Sequence, residues 1–402
     1  MAKRIPCLVV LFVLINLNGP CDVIAGNKPE PHFSVFWDFY SSNDIGTRVW
    51  GMGGAGVANV NELTSMVINP AAFKFDGRFR AYFEVVNKSK NRWMEELSGT
   101  NYYLKSRAII PSFIGFGYNA AGPLYVGLGY SYPRYYKLDL SGMPLPWPID
   151  PSSEEKIYPY DIFKREQLVL PVNLQIWPGF FLGVNLNYNR LSLDMRDYYT
   201  IDRRNPNQMI SLMRTSDVSF LSFKLGTLVE FSPTGDFLKG SKISLGMAYT
   251  PQEGFRPNVE WNKGDLYLGE DKFGETILPR RLELGIKISN LKFPLNFAGD
   301  IKFQDNSEVE DLVDRWDIHL GCEWEASRNV ALQLGYFNRL DYRDPETGWL
   351  DEVGEYDQHF LTAGVRISLS DYLLQFSMRD SHLLSSGLIE TTQISVGTGL
   401  GF

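Results

Sequence analysis

Between Phe180 and Asn189 the chain alternates with a period of two. Phe180, Leu182, Val184, Leu186 and Tyr188 take one face, and Phe181, Gly183, Asn185, Asn187 and Asn189 take the other. Successive side chains of a strand point to opposite sides, so this stretch is a strand with one apolar face. The other face constrains the fold. A sandwich strand facing bulk water favours Lys, Glu and Thr there, whereas glycine and amides suit a crowded interior. The last segment repeats the pattern, with Ile394, Val396, Thr398, Leu400 and Phe402 against Gln393, Ser395, Gly397, Gly399 and Gly401. Strands of outer-membrane barrels alternate in this way, apolar toward lipid and small or polar toward the lumen.

Segments of this kind fall at about 79–87, 108–118, 124–132, 165–176, 180–197, 217–231, 241–249, 280–288, 294–303, 315–324, 330–338, 358–368, 372–380 and 391–402. They predict an all-β membrane protein, a fourteen-stranded antiparallel barrel over 79–402. The connections alternate in length. Those at 119–123, 177–179, 289–293, 325–329 and 369–371 are short, while 88–107, 133–164, 198–216, 250–279 and 339–357 are long. Short periplasmic turns and long outer loops are the asymmetry of bacterial barrels, and a soluble β-protein has no reason to show it. Trp316 and Trp324 share parity on one strand, with Ile318, Leu320 and Cys322 between them. On a tilted strand they stand roughly 20 Å apart along the membrane normal, close to the spacing of two aromatic girdles. A barrel this wide cannot be filled by its own side chains. Residues 26–78 precede the first strand and supply enough chain to act as a hatch inside it.

The N-terminus begins with Lys3-Arg4 and an apolar run from Leu8 to Leu17, too short to span a membrane as a helix. It reads as a signal peptide over 1–25, with Val23-Ile24-Ala25 as the cleavage site. Asn18-Gly19-Pro20 suits a lipidated Cys21 poorly. Of Cys7, Cys21 and Cys322, only the last is then in the mature chain, so no internal disulfide is expected. The net charge of -8 argues against a nucleic-acid partner.

From Tyr40 to Ala72 the chain is glycine-rich yet apolar. Gly51, Gly53, Gly54 and Gly56 should make it tight and irregular, and Asn69-Pro70 marks a turn. No Gly-Lys-Ser/Thr ending and no βαβ context make it a phosphate loop. Gly51-Met52-Gly53-Gly54-Ala55-Gly56-Val57-Ala58 followed by Asn69-Pro70-Ala71 resembles the N-terminal signature of the FadL-type outer-membrane transporters of hydrophobic compounds. Ser41-Ser42 and Ile45-Gly46 resemble that family's first mature residues. Asn61-Glu62 stands where the family has two acidic residues, Leu63 where it has a small one, and Phe73-Lys74 where it has Gly-Leu. The resemblance implies a hatch in the lumen, passive movement of fatty acids or hydrocarbons without a cofactor, and a lateral opening near the third strand. Here the third strand carries Gly127 and Gly129 and is expected to stop at Pro133. The terminal Phe402 resembles the signature by which outer-membrane barrels are read by the insertion machinery, and a monomer surrounded by the lipid of a bacterial outer membrane is expected. The barrel subunits of type IX secretion share much of the signature, so a non-transporting barrel that docks a secretion or attachment machine is the alternative.

Catalysis is not expected. The four histidines are scattered, and Asp317 and His319 share a lumen face without a serine nucleophile beside them. Loop 341–357 is acidic but lacks the spacing of an EF-hand, so no metal site is assigned. Two outer loops are unusually apolar. Residues 135–149 carry Tyr135, Tyr136, Leu145 and Trp147 among prolines, and Asn205-Pro206 reads as the start of a short helix bearing Met209, Ile210, Leu212 and Met213. Leu145, Trp147, Met209 and Met213 are the expected landing site for hydrophobic small molecules, as loops in these positions are in the resembled family.

Overall fold

The computed structural model describes residues 45–94, 102–139, 157–200, 209–233, 240–255, 258–263, 266–272, 276–291, 293–307, 312–341, 357–384 and 389–401. The strands in chain order are β1 (Phe79–Met94), β2 (Tyr102–Asn119), β3 (Leu124–Asp139), β4 (Ile157–Trp177), β5 (Phe180–Thr200), β6 (Met209–Phe231) and β7 (Lys242–Thr250). Four short ones follow: β8 (Glu253–Phe255), β9 (Asn258–Lys263), β10 (Leu266–Lys272) and β11 (Thr276–Leu278). The last seven are β12 (Arg280–Ser289), β13 (Leu295–Asp305), β14 (Arg315–Glu325), β15 (Val330–Arg339), β16 (Gln358–Leu369), β17 (Tyr372–Asp380) and β18 (Ile389–Gly401). Leaving out β8 to β11, fourteen strands pair antiparallel with their sequence neighbours, β7 meets β12, and β18 closes on β1. Closure removes free sheet edges, which lipid would not tolerate.

The alternation read from the sequence is the inside–outside partition. On β5, Leu182, Val184, Leu186 and Tyr188 are exposed on the outer face, while Phe181, Asn185, Asn187 and Asn189 are buried in the lumen. Trp316 and Trp324 both face outward, 55% and 48% exposed, with exposed Ile318 and Leu320 between them. They therefore sit on the lipid side and not in a core, and Phe303 packs on Trp316 with ring centroids 4.5 Å apart. Phe402 and the leader lie outside the described residues.

The strands differ from expectation at one end. β1 to β6 span 16, 18, 16, 21, 21 and 23 residues. β7, β12 and β17 span only 9, 10 and 9. Much of the expected long loops 88–107, 133–164 and 198–216 is thus strand, and the first six strands make a tall wall. The expected helix near 205–213 is a correction of the same kind. Met209 and Met213 belong to β6 and pair with Thr200 and Arg196 of β5. Twenty-one consecutive pairs to β5 outweigh a local helical spacing.

Inside the ring lies the segment 45–78. It holds a helix α1 (Thr47–Gly51), a helix α2 (Ser65–Ile68) and a 3-10 turn (Pro70–Ala72), with irregular backbone between them. Val49, Met52, Val57, Leu63, Met66, Ala71 and Phe73 are buried.

Candidate functional site

The lumen segment is held by two kinds of wall. Toward β12–β17 the contacts are charged and aimed at backbone. Arg48 grips Glu323 of β14 with two parallel bonds, Nε to Oε2 and Nη2 to Oε1, each 2.7 Å. Its Nη1 donates to Glu62 at 3.2 Å. Gln333 Nε2 donates to Glu323 at 2.8 Å, and Gln375 Nε2 donates to Glu62 at 3.2 Å. Burial works against the Arg48 charge, but Glu323 and Glu62 outweigh it and raise its pKa above the ordinary arginine value. Asp300 of β13 accepts from the Gly56 and Val57 amides at 2.6 and 3.0 Å. Thr362 of β16 accepts from the Gly53 amide and donates to the Gly51 carbonyl, at 3.0 and 3.1 Å. On β1, Glu84 accepts from the Thr47 amide at 2.6 Å and from the Thr47 and Ser112 hydroxyls at 2.8 and 2.7 Å.

Toward β2–β5 the contact is apolar. Ile45, Leu63, Met66, Phe73 and Phe75 form one core with Phe113 of β2 and Val169 of β4. Among the described residues, the hydrogen bonds from this wall are those of neutral amides: Asn173 Nδ2 donates to the Ala71 and Phe73 carbonyls at 2.9 and 2.8 Å, and Asn185 donates to the Met66 carbonyl, while Lys74 of the segment lies over the Phe181 ring.

The motif residues have individual places. Gly53 and Gly54 adopt φ of +67° and +76°. A side chain at Gly53 would also run into the backbone of Leu320 and Tyr336, and one at Gly54 into His319 and Trp50. The wall answers with glycine where the segment touches it: a Cβ at Gly321 or Gly335 would meet the backbone of Met52 and Gly53. Gly51 lies against Gln333 and Gly364, and Gly56 against Val49. Asn69 accepts from the Ala71 amide at 3.1 Å through Oδ1, and its Nδ2 donates to the Val57 and Thr227 carbonyls at 2.7 and 3.1 Å. Pro70 supplies the fixed φ that starts the 3-10 turn. Glu62, singled out as a family departure, is half of the ionic clasp. Asp317 and His319 are both buried but engaged elsewhere, Asp317 by Arg315 and His319 Nδ1 by the Gly53 carbonyl at 2.7 Å. Among the described residues, no three His, Cys, Asp or Glu side chains cluster as metal ligands do. Leu145 and Trp147 lie outside the described residues.

Two interruptions cut the tall wall. β2 and β3 pair from Phe113↔Ser131 to Asn119↔Tyr125, and among the described residues no further, although β2 continues against β1 to Tyr102 and β3 against β4 to Asp139. Ser112 is an extra residue in β2, a second bulge lies between Ser131 and Arg134 in β3, and Pro111 and Pro133 each remove a donor beside them. Pro133 therefore bulges the third strand and does not stop it. Gly127 and Gly129 lie below this split, paired with Gly117 and Gly115, and make room for Phe73, Phe113 and Met66. The second interruption is on β6. It pairs with β7 from Phe231↔Ile243 to Leu225↔Tyr249 and with β9 from Thr215↔Glu260 to Leu212↔Lys263, with residues 216–224 between the two ladders. Behind it, above Val67, lies a cavity of about 130 Å³ bearing Arg134, Arg165, Lys224 and Arg281 against Glu253 and Glu283.

Arg48 and Glu323 of the clasp, and Glu84 and Asp300 that take up segment amides, were not singled out by sequence. Glu323 and Asp300 did show one signal, a charge at a lumen position of an alternating strand.

No family profile and no curated protein matches this chain. Solved structures do. A FadL homologue of Pseudomonas aeruginosa superposes with a TM-score of 0.65 at 13% identity, over 90% of this chain and 98% of that one. The Pseudomonas putida toluene transporter TodX gives 0.59 at 13% identity, over 90% and 98%. The Ralstonia pickettii toluene transporter TbuX gives 0.56 at 12%, over 89% and 98%. The chain has the fold of the FadL-type outer-membrane barrels.

Proposed function

We propose that the protein lets hydrophobic compounds cross a bacterial outer membrane passively, with residues 45–78 as the hatch of the barrel. The observation that carries this reading is the asymmetric grip on the segment. An ionic clasp fixes one side, while the other rests on an apolar contact beside a split in the wall. Apolar contact is non-directional, so that side can shift without leaving buried charges unpaired. The shared fold of a FadL homologue and two toluene transporters supports the same reading. Ligand lands on outer loops that include Leu145 and Trp147 and the tall end of β6 at Met209 and Met213. It then enters beside the β2–β3 split, above Gly127 and Gly129, and leaves when the hatch shifts. The test is uptake of a labelled alkane, an alkylbenzene and a fatty acid by cells that carry the wild type, Trp147→Ala, or a chain with 135–149 replaced by Gly/Ser. Truncating Trp147 should weaken capture by about 1–2 kcal/mol. Equal uptake by all three removes the landing role. Uptake at the level of empty cells for every compound removes transport and favours a docking barrel.

A further inference from the structure

Three amides stand in a row on the lumen face of β5, and they are not used alike. Asn189 is engaged at both ends. Its Oδ1 accepts from Arg165 Nε and Nη2 at 3.0 and 2.8 Å and from Gln167 at 3.0 Å, and its Nδ2 donates to Ser222 at 2.9 Å. Asn185 is engaged at one end. Its Nδ2 donates to the Met66 carbonyl, which fixes the orientation of the amide and leaves Oδ1 buried without a partner among the described residues. The Asn187 side chain makes no hydrogen bond to any other described residue, and its Oδ1 is buried as well. The two residues are 1% and 5% exposed, and buried polar groups are expensive to leave unpaired.

Asn185 and Asn187 both line the cavity above Val67. Another of its sides is built by chain that turns inward after β7. Pro251 follows the last paired residue of β7, and Pro279 precedes β12, so neither can donate to a neighbour there. β8 pairs instead with β11, from Glu253↔Leu278 to Thr276↔Phe255, on the lumen side where Leu278 packs on Phe163, Leu191 and Leu193. The charges around the cavity are already engaged. Lys224 meets Glu283 and Arg165 meets Glu253, each at 3.1 Å, and Arg134 and Arg281 have partners too. They select neither an anion nor a cation, and what remains is the need of two amides. Val67, Pro133 and Leu278 also line the cavity and give it apolar area. Its volume of about 130 Å³ is close to the roughly 150 Å³ of an engineered apolar cavity that takes up benzene. Pro133 belongs to the bulged stretch of β3, so the cavity adjoins the β2–β3 split.

We propose that this cavity is a binding site for a small hydroxylated aromatic compound, whose ring lies against Val67, Pro133 and Leu278 and whose hydroxyl bonds Asn185 and Asn187. A hydroxyl both donates and accepts, so it can give its proton to the Asn185 oxygen and still meet either end of the Asn187 amide. A plain hydrocarbon ring leaves both amides unpaired. A carboxylate brings acceptors alone to the Asn185 oxygen and places a further charge beside Glu253 and Glu283. The inference narrows the class of compound carried, and it rests on the transport reading for what happens to the compound afterwards.

The full-length protein in lipid nanodiscs is titrated at neutral pH with para-fluorophenol, fluorobenzene and para-fluorobenzoate, and binding is read by fluorine NMR against empty nanodiscs. The phenol should bind about tenfold more tightly than fluorobenzene, as for one buried hydrogen bond, and the benzoate more weakly than the phenol. Asn187→Leu keeps the shape of the side chain without the amide. It should abolish the preference for the phenol and leave fluorobenzene binding as it was. Heat-modifiable gel mobility shows whether the variant is folded. Val67→Phe, which fills the cavity from the lumen segment and touches no amide of β5, is the second variant and should remove phenol binding. Equal affinity for the phenol and fluorobenzene in the wild type overturns the site, as does benzoate binding as tight as the phenol. So does a preference that survives either variant, or an equal loss of phenol and fluorobenzene in Asn187→Leu. Uptake of an alkylbenzene by cells is followed in parallel. Its absence with the phenol preference intact counts against transport alone, and its presence without that preference counts against this site alone.

Discussion

The wall from β12 to β17 and the wall from β2 to β5 grip the same segment with opposite chemistry. On the first, Asp300, His319 and Thr362 take up individual backbone groups of residues 51–57. On the second, Phe113, Val169 and Phe181 offer area, and among the described residues the side-chain hydrogen bonds to the segment come from the amides of Asn173 and Asn185. Directional bonds to buried groups are expensive to break one at a time, whereas an apolar face loses energy gradually as area is uncovered. The interruptions in the barrel ladders fall in or beside the apolar half, so the apolar side of the segment faces the part of the wall where β2–β3 and β6–β7 pairing stops. The charged half pairs without a register shift from β12 to β18, and where its β14–β15 ladder ends at His319↔Phe337 the Ile318 amide donates to the Asn338 side chain at 2.6 Å.

The largest expected effect comes from breaking the clasp. Arg48→Ala takes its cation from buried Glu62 and leaves Glu323 with Arg366 alone at 3.6 Å, a loss of about 3–5 kcal/mol for a broken buried pair. The barrel should still insert, because its ladders do not involve Arg48. Hydrogen exchange of residues 45–60 should rise while that of β12–β18 stays slow. Unchanged protection of 45–60 would falsify the pinning role. On the opposite side, Met66→Ala opens a cavity among Phe113, Leu63 and Phe73, costing about 2–3 kcal/mol. Here the expected outcome is local, with faster exchange at 63–75, slow exchange at 46–57 and faster uptake of alkane. If exchange rises equally along the whole segment, the two sides are not separable and the comparison fails.

A third change tests the turn. Gly53→Val places a branched side chain at φ +67° against the Leu320 and Tyr336 backbone, a strain of about 1–3 kcal/mol or more. It should loosen the clasp side at 51–57 and leave Met66 and Phe73 protected. Trypsin and chymotrypsin cleavage in detergent reads the difference, and cleavage after Phe73 as fast as after Arg48 would contradict it.

These contrasts were partly legible in the sequence. Alternation located the barrel because lipid on one side and a packed lumen on the other impose different chemistries on odd and even residues. Where lipid ends, that contrast ends too. Ile157–Lys164 of β4 therefore shows no clear period and reads as loop, and Met209–Met213 of β6 reads as part of a helix, although both are paired strand. The glycine motif was visible because backbone that bends with positive φ, or lies against another backbone, excludes side chains. The grip of Arg48 on Glu323 was not, since the partners are 275 residues apart and no local spacing records which lumen carboxylate an inner arginine will meet. The inward turn at Pro251 and Pro279 left two proline marks, but a proline reports only a missing donor and not the direction the strand takes.

The smallest expected effect sharpens the comparison by repeating the clasp in water. Arg190 of β5 makes three bonds to Asp217 of β6, with Nε 3.0 Å from both carboxylate oxygens and Nη2 also in contact with Oδ2. By geometry alone this pair equals Arg48–Glu323. It differs in surroundings, since its side chains are 53% and 47% exposed and those of Arg48 and Glu323 are 6% and 0%. Exposed charges are screened by water and salt, and removing one leaves the other hydrated. Arg190→Gln should therefore leave the thermal gel-shift midpoint within error of wild type at both low and high salt, while Arg48→Ala opens the lumen segment at either. A midpoint drop for Arg190→Gln that vanishes in high salt would mean that the exposed pair helps to hold β5 against β6. The strand edge beside the second interruption would then depend on surface charge as well as on its twenty-one ladder pairs.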